Sequence, residues 1–113
     1  MGVASRILTP QTAIDTAVSQ VVASSHPSRI IMFGSRAQGT ETADSDLDIL
    51  VIERHISSKV KEMARLRQAV GNIGMAVDIM VASEKEVEEW GSLPGTALYW
   101  ALREGKVLYE APH

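Results

Sequence analysis

The chain has 113 residues, 45% of them apolar, no cysteine and a formal net charge of -3. That length suits one small domain over residues 1–113 with a core of its own, and without cysteine there are no disulfides or thiolate metal sites. The charge argues against an extended nucleic-acid surface, which needs concentrated basic residues, and no apolar run approaches the roughly 20 residues of a membrane helix. Met1–Pro10 lacks the charged start and apolar centre of a secretory leader. No membrane association and a reducing, cytoplasmic location are therefore expected.

Thr9-Pro10 predicts a helix start, a capping hydroxyl followed by proline at the first helical position. Ile14, Ala17, Val18, Val21 and Val22 recur at helical spacing and carry the helix to about Ser24. His26-Pro27 breaks it, and the β-branched, apolar run Arg29–Phe33 predicts a short buried strand ending at Gly34. Gly34–Gly39 reads as a tight turn opening into a helical turn, and polar Thr40–Ser45 as a loop. Leu47, Ile49 and Val51 lie on one side of a second strand, about Asp46–Glu53, with Asp46 and Asp48 on the other.

Ser57 or Ser58 can cap a third helix carrying Val60, Met63, Ala64 and Val70, ended by Gly71 and Gly74. Met75–Ala82 is the predicted third strand. Ser83 and Glu86 form a capping box for a short helix to about Trp90. After a turn at Gly91–Pro94 come a second short helix, Thr96–Arg103, and an edge strand, Val107–Tyr109. The order α-β-α-β-α-β-α-α-β predicts an α/β (α+β) fold, a small mixed sheet with helices mainly on one face.

Three carboxylates and one turn carry the chemistry. Asp46 and Asp48, two apart on a strand, leave the same face with Cα atoms roughly 6.5–7 Å apart. Asp78, set among Ala76, Val77, Ile79 and Met80, is disfavoured in a strand and costly to bury alone. If its strand lies beside the second one, it joins the pair. Two carboxylates about 4.5 Å apart repel by roughly 3–4 kcal/mol at an effective dielectric near 20. A hard divalent cation, Mg²⁺ first, relieves that repulsion, and two ions about 3.5–4 Å apart suit phosphoryl transfer. Gly34 lets the backbone approach a phosphate, Ser35 adds a hydroxyl donor, and Arg36 adds a cation able to fork onto phosphate oxygens.

Gly34-Ser35, ten residues, then Asp46-Leu47-Asp48 resembles the signature of the DNA polymerase β-like nucleotidyltransferase superfamily. Gly34-Ser-Arg-Ala-Gln-Gly39 with Ser45-Asp-Leu-Asp48 is most similar to its minimal nucleotidyltransferase branch, as is the closing Gly105-Lys-Val-Leu-Tyr-Glu110. The resemblance implies that Asp46 and Asp48 hold two Mg²⁺ ions, with Mn²⁺ as a substitute. It gives Asp78 the catalytic metal and the acceptor proton, and Gly34, Ser35, Arg36 and Ser45 the nucleotide, ATP as co-substrate. Larger members carry an additional helical domain, which is not expected here. The implied activity moves AMP from ATP onto an acceptor hydroxyl. The acceptor is a partner protein, as when such a domain is the antitoxin to a small helical HEPN toxin. A non-catalytic subunit that binds nucleotide and silences or recruits a partner remains an alternative, as does an adenylyltransferase acting on a small molecule such as an antibiotic. Self-association into a homo-oligomer stays open.

The remaining features read more plainly. His26, His55 and His113 have no spacing that joins them to the aspartates and are expected at the surface. The basic group Lys59, Lys61, Arg65 and Arg67 and the acidic run Glu84, Glu86, Glu88 and Glu89 are expected on solvated helix faces. Trp90, Leu93, Leu98, Tyr99 and Trp100 are expected to pack in the core, with a docking surface as the alternative.

Overall fold

The computed structural model describes residues 9–112. Met1–Leu8, most of the segment read above as lacking a leader pattern, and His113 lie outside the described residues. The elements are helix α1 (Pro10–Ser25), strand β1 (Arg29–Phe33), helix α2 (Ser35–Gln38), strand β2 (Leu47–Glu53) and helix α3 (Lys59–Val70). Strand β3 (Val77–Ser83), helices α4 (Glu84–Trp90) and α5 (Ala97–Glu104) and strand β4 (Lys106–Glu110) follow, in the expected order.

Side chains anticipated as caps make the expected bonds. Thr9 accepts from the Thr12 amide and Ser58 from Lys61, while Thr96, expected as the first residue of its helix, caps it instead, accepting from Tyr99. Ser83 and Glu86 satisfy one another's backbone amides in a full capping box. At the other end of α1, His26 ends the helix in the left-handed region, at φ 49°.

The four strands form one mixed sheet in the order β3-β2-β1-β4. β1 is antiparallel to β2 and β4, and β2 is parallel to β3. β2 is central and carries the core on both faces. Leu47, Ile49 and Val51 face α1 and α3 with Ile30, Met32, Ile79, Val81, Ala17, Val21 and Leu66. Leu50 and Ile52 face the other way, with Ile31, Ala82 and Ala101, and the shorter α4 and α5 cover them through Val87, Leu98 and Leu102. Among the described residues no helix is long and apolar enough to cross a membrane.

Two expectations shift. The third strand begins at Val77, not Met75, because Gly74 turns the chain at φ +85°. Trp90, Leu93 and Trp100 are about half exposed rather than packed in the core. Leu98 and Leu102 do pack inward, while Tyr99 meets Trp100 edge to face, 5.0 Å between ring centres.

Glu53, the last residue of β2, is buried, with Oε2 lacking a hydrogen-bond donor. Burial, then the hydrogen bond and charge of Glu62, push its carboxyl from 4.5 up to about 8, against the pull of Arg65 and Ser25. Arg65 meanwhile holds Glu62 low and reaches the Ser24 carbonyl and hydroxyl, tying α3 to α1. The folded chain keeps the Glu53 proton at a pH where the unfolded chain has lost it, so folding takes up a proton. Stability from this source is therefore full below about pH 4.5 and is lost as pH rises toward 8. Denaturant titrations should show the native protein losing about 1–3 kcal/mol across that window. Glu53→Gln should be level there, and parallel profiles for the two proteins would refute the assignment.

Candidate functional site

β1 delivers the first part of the site. Phe33 pairs with Asp48 across the antiparallel ladder, so the chain leaving β1 passes directly over that carboxylate. Gly34 makes this passage at φ 75°, ψ -159°, a region open essentially to glycine alone. A Cβ there would overlap Oδ2 of Asp48 and lie 3.2 Å from its Cγ. Gly34 is thus required twice, by its backbone angles and by the space Asp48 occupies. α2 then starts at Ser35. The Gly34 carbonyl accepts from Ala37 and Gln38, both at 3.1 Å. The first amides of this turn have no partner within it and point toward the end of β1.

The aspartates come from two adjacent strands. Asp48 lies in parallel register with Asp78, at a strand spacing of about 4.8 Å. Both occupy the face that carries Leu50 and Met80 further along, opposite to Leu47 and Val77. Asp46 precedes β2 by one residue, and the Leu47 amide donates to the Ala76 carbonyl at 2.8 Å, which ties the starts of β2 and β3 together. Asp48 is partly buried; Asp46 and Asp78 are exposed. Burial raises the Asp48 pKa, and the charges of Asp78 and then Asp46 raise it further. Each of the two exposed aspartates is near enough to disturb the third. Among the described residues the ion pairs are Lys59–Glu86 and Glu62–Arg65, neither of which involves these aspartates.

The donor chemistry fits a hard divalent cation: three carboxylates on one face, mutually repelling, with a glycine-lined approach beside them. Their placement is looser than a finished chelate. No group of three His, Cys, Asp or Glu side chains among the described residues stands close enough together to hold a metal ion. Asp46 and Asp78 are exposed, while Asp48 between them is partly buried. A cleft of about 860 Å³ lies at the opposite end of the sheet, around Ser28, Glu53, His55 and Glu84. A smaller hollow of about 400 Å³, bordered by Pro10, Ala13, Arg36, Thr42 and Met75, adjoins the loop before Asp46.

Arg36 and Ser45, both expected at the nucleotide, are engaged within the protein. Arg36 donates from Nε (3.2 Å) and Nη2 (2.8 Å) to the Ser45 carbonyl. Ser45 Oγ accepts from the Thr42 amide at 2.8 Å, and the Ser45 amide returns a bond to the Thr42 carbonyl at 3.1 Å. The Arg36–Ser45 link was not anticipated, because it depends on how an irregular loop folds. His26 and His55 are exposed and remote from the aspartates, as expected.

Residues 16–113 match the family model described as "Polymerase beta, Nucleotidyltransferase". Among solved structures, the chain is similar to the crystal structure of a "putative nucleotidyltransferase" from Sulfolobus solfataricus. The two share 19% identity at a TM-score of 0.61, over 96% of this chain and 93% of that one. At that identity the likeness speaks for the fold. A search of curated proteins found no match.

Proposed function

Starting from a chain that belongs to the polymerase beta nucleotidyltransferase family, we propose that it transfers AMP from ATP to a hydroxyl of a partner protein. The observation that carries this reading is the register of Asp48 with Asp78 beneath Gly34, with Asp46 close enough to raise the Asp48 pKa. Membership of the family supports the general chemistry of nucleotidyl transfer. The nucleotide, the metal and the acceptor are our proposals.

Gly34 and Ser35 would receive the triphosphate, through backbone amides at the start of α2 and the Ser35 hydroxyl. Asp46 and Asp48 would hold Mg²⁺, with Asp78 contributing from the neighbouring strand. Bound there, the metal would offset phosphate charge and lower the acceptor pKa. Asp78, exposed beside Asp48, would take the proton of the acceptor hydroxyl. As that oxygen bonds to the α-phosphorus, the bond to the β-phosphate oxygen breaks and pyrophosphate leaves.

The acceptor class rests on two features. A net charge of -3 suits a polynucleotide acceptor poorly. Half-exposed Trp90, Leu93 and Trp100 offer apolar area to a protein partner. A domain of the minimal nucleotidyltransferase branch, acting in the cytoplasm on a small helical HEPN-type partner, fits both. Label from α-labelled ATP should appear on a co-expressed protein partner and be lost with Asp46→Asn/Asp48→Asn. Label that survived that double substitution would end the catalytic reading. A partner bound and silenced without label would favour the non-catalytic subunit.

A further inference from the structure

We infer that Arg36 is a positioning residue for the carboxylate site, acting through the Ser45 carbonyl to aim Asp46 at Asp48. The inference deepens the proposed function, since it concerns the same site and gains its catalytic meaning from that reading. It begins with the two bonds from Nε and Nη2 to one oxygen. Both donors belong to a charged group, which strengthens the pair, and the Nη2 bond at 2.8 Å is the shorter of the two. Nε and Nη2 lie on one edge of a rigid plane, so together they fix the direction of the carbonyl as well as its distance.

Direction matters because of what the carbonyl is attached to. The Ser45 C=O and the Asp46 N–H belong to one planar peptide unit. Fixing that plane leaves Asp46 only its own φ and ψ. The next peptide is fixed in turn by the Leu47 amide bonding to the Ala76 carbonyl at 2.8 Å. Asp46 therefore hangs between two anchored peptides, one held by α2 and the other by the start of β3. Its Cβ direction follows from those anchors even though the residue is exposed and lies outside the strand.

The loop needs such an anchor. Residues 42–45 close into a turn through the paired Thr42–Ser45 bonds, yet nothing in that turn orients its exit. Arg36 reaches that exit from α2, whose Ala37 is buried and whose end is fixed by Gly39 at φ 78°. α2 begins where Gly34 crosses Asp48. One short segment thus touches the site twice: Gly34 lies against Asp48, and Arg36 governs Asp46. A change in the tilt of α2 would move both carboxylates relative to each other.

The experiment uses the full chain with Arg36→Gln and, as a second variant that keeps the charge, Arg36→Lys. Amide ¹⁵N relaxation reports the order of Ser45 and Asp46, and Mn²⁺ titration without nucleotide reports the site. Both variants should drop the order parameters of these two amides from rigid values near 0.85 toward 0.6. Mn²⁺ affinity should fall about 10-fold or more, the scale seen when a residue that orients a metal ligand is lost. In an Asp46→Asn background, Arg36→Gln should cause no further loss, because its effect passes through Asp46. The inference is overturned if Ser45 and Asp46 stay rigid in Arg36→Lys, or if the losses simply multiply. It is overturned equally if Mn²⁺ affinity holds and only ATP binding weakens, the result for a direct phosphate ligand. A native protein that takes up no Mn²⁺ would instead defeat the transferase reading, and the relaxation data alone would then decide the role of Arg36.

Discussion

Asp48→Asn is expected to reduce nucleotidyl transfer by about 10³-fold or more while leaving the chain folded. Asp48 is the hub of the site: it sits under Gly34, beside Asp78 and two residues from Asp46. Removing its charge takes away the one carboxylate that both others can share a cation with. The stability effect should have the opposite sign. The Asp48 pKa is raised by burial and by its two acidic neighbours, so in the metal-free chain its charge is a cost that grows as pH rises through that pKa. Asparagine removes that cost. Near neutral pH the metal-free variant should be as stable as the native chain or slightly more so, by less than about 1 kcal/mol, since solvent screens the exposed partners. Loss of both activity and fold would show that Asp48 supports the structure rather than the chemistry.

Gly34→Ala should be the most damaging small substitution at the candidate site. Alanine is strained at φ 75°, ψ -159°, and its methyl would overlap the Asp48 carboxylate. The backbone strain has no such relief, and the methyl would push the Asp48 carboxylate out of its place beneath the turn while its backbone stays paired in β2. Backbone strain and overpacking together should cost about 2–4 kcal/mol, which for a chain of this size lowers the melting temperature by roughly 10 °C or more. Transfer should vanish even at temperatures where the variant is folded. A Gly34→Ala protein that melts within about 2 °C of the native one would show that the β1–α2 turn is not the tight passage described here. Substitution at Gly39, where a Cβ would meet nothing within 4 Å, offers a control that shares the positive φ without the overlap.

Much of this site was legible in the sequence because its parts are local. A strand ending in Gly34, a spaced pair at Asp46 and Asp48, and a lone acid at Asp78 are each readable from neighbours within a few residues. Bringing Asp78 beside Asp48 required only that β3 lie next to β2, and the in-register pairing of the two residues supplies it. Caps at Thr9, Ser58 and Ser83 were legible for the same reason, since each bonds to an amide three residues ahead.

What escaped depends on long-range placement. Arg36 in isolation is a cation fit for phosphate, and only the fold of an irregular loop turns it onto the Ser45 carbonyl. Glu53 closes an alternating strand as any exposed acid might, yet the ends of α1 and α3 cover it and place Glu62 at its side. Trp90 and Trp100 are apolar enough for a core, but the narrow face beneath α4 and α5 is already filled by Leu98, Leu102 and Val87.

The central claim is that Asp46, Asp48 and Asp78 act together on a divalent cation at the mouth of the Gly34 turn. Mn²⁺ titration followed by electron paramagnetic resonance, in the presence of a non-hydrolysable ATP analogue, tests it most directly. The native chain should take up Mn²⁺, with each single Asp→Asn variant weakened at least about 10-fold and the triple variant inert. No uptake by the native chain, or uptake undiminished in the triple variant, would contradict the account.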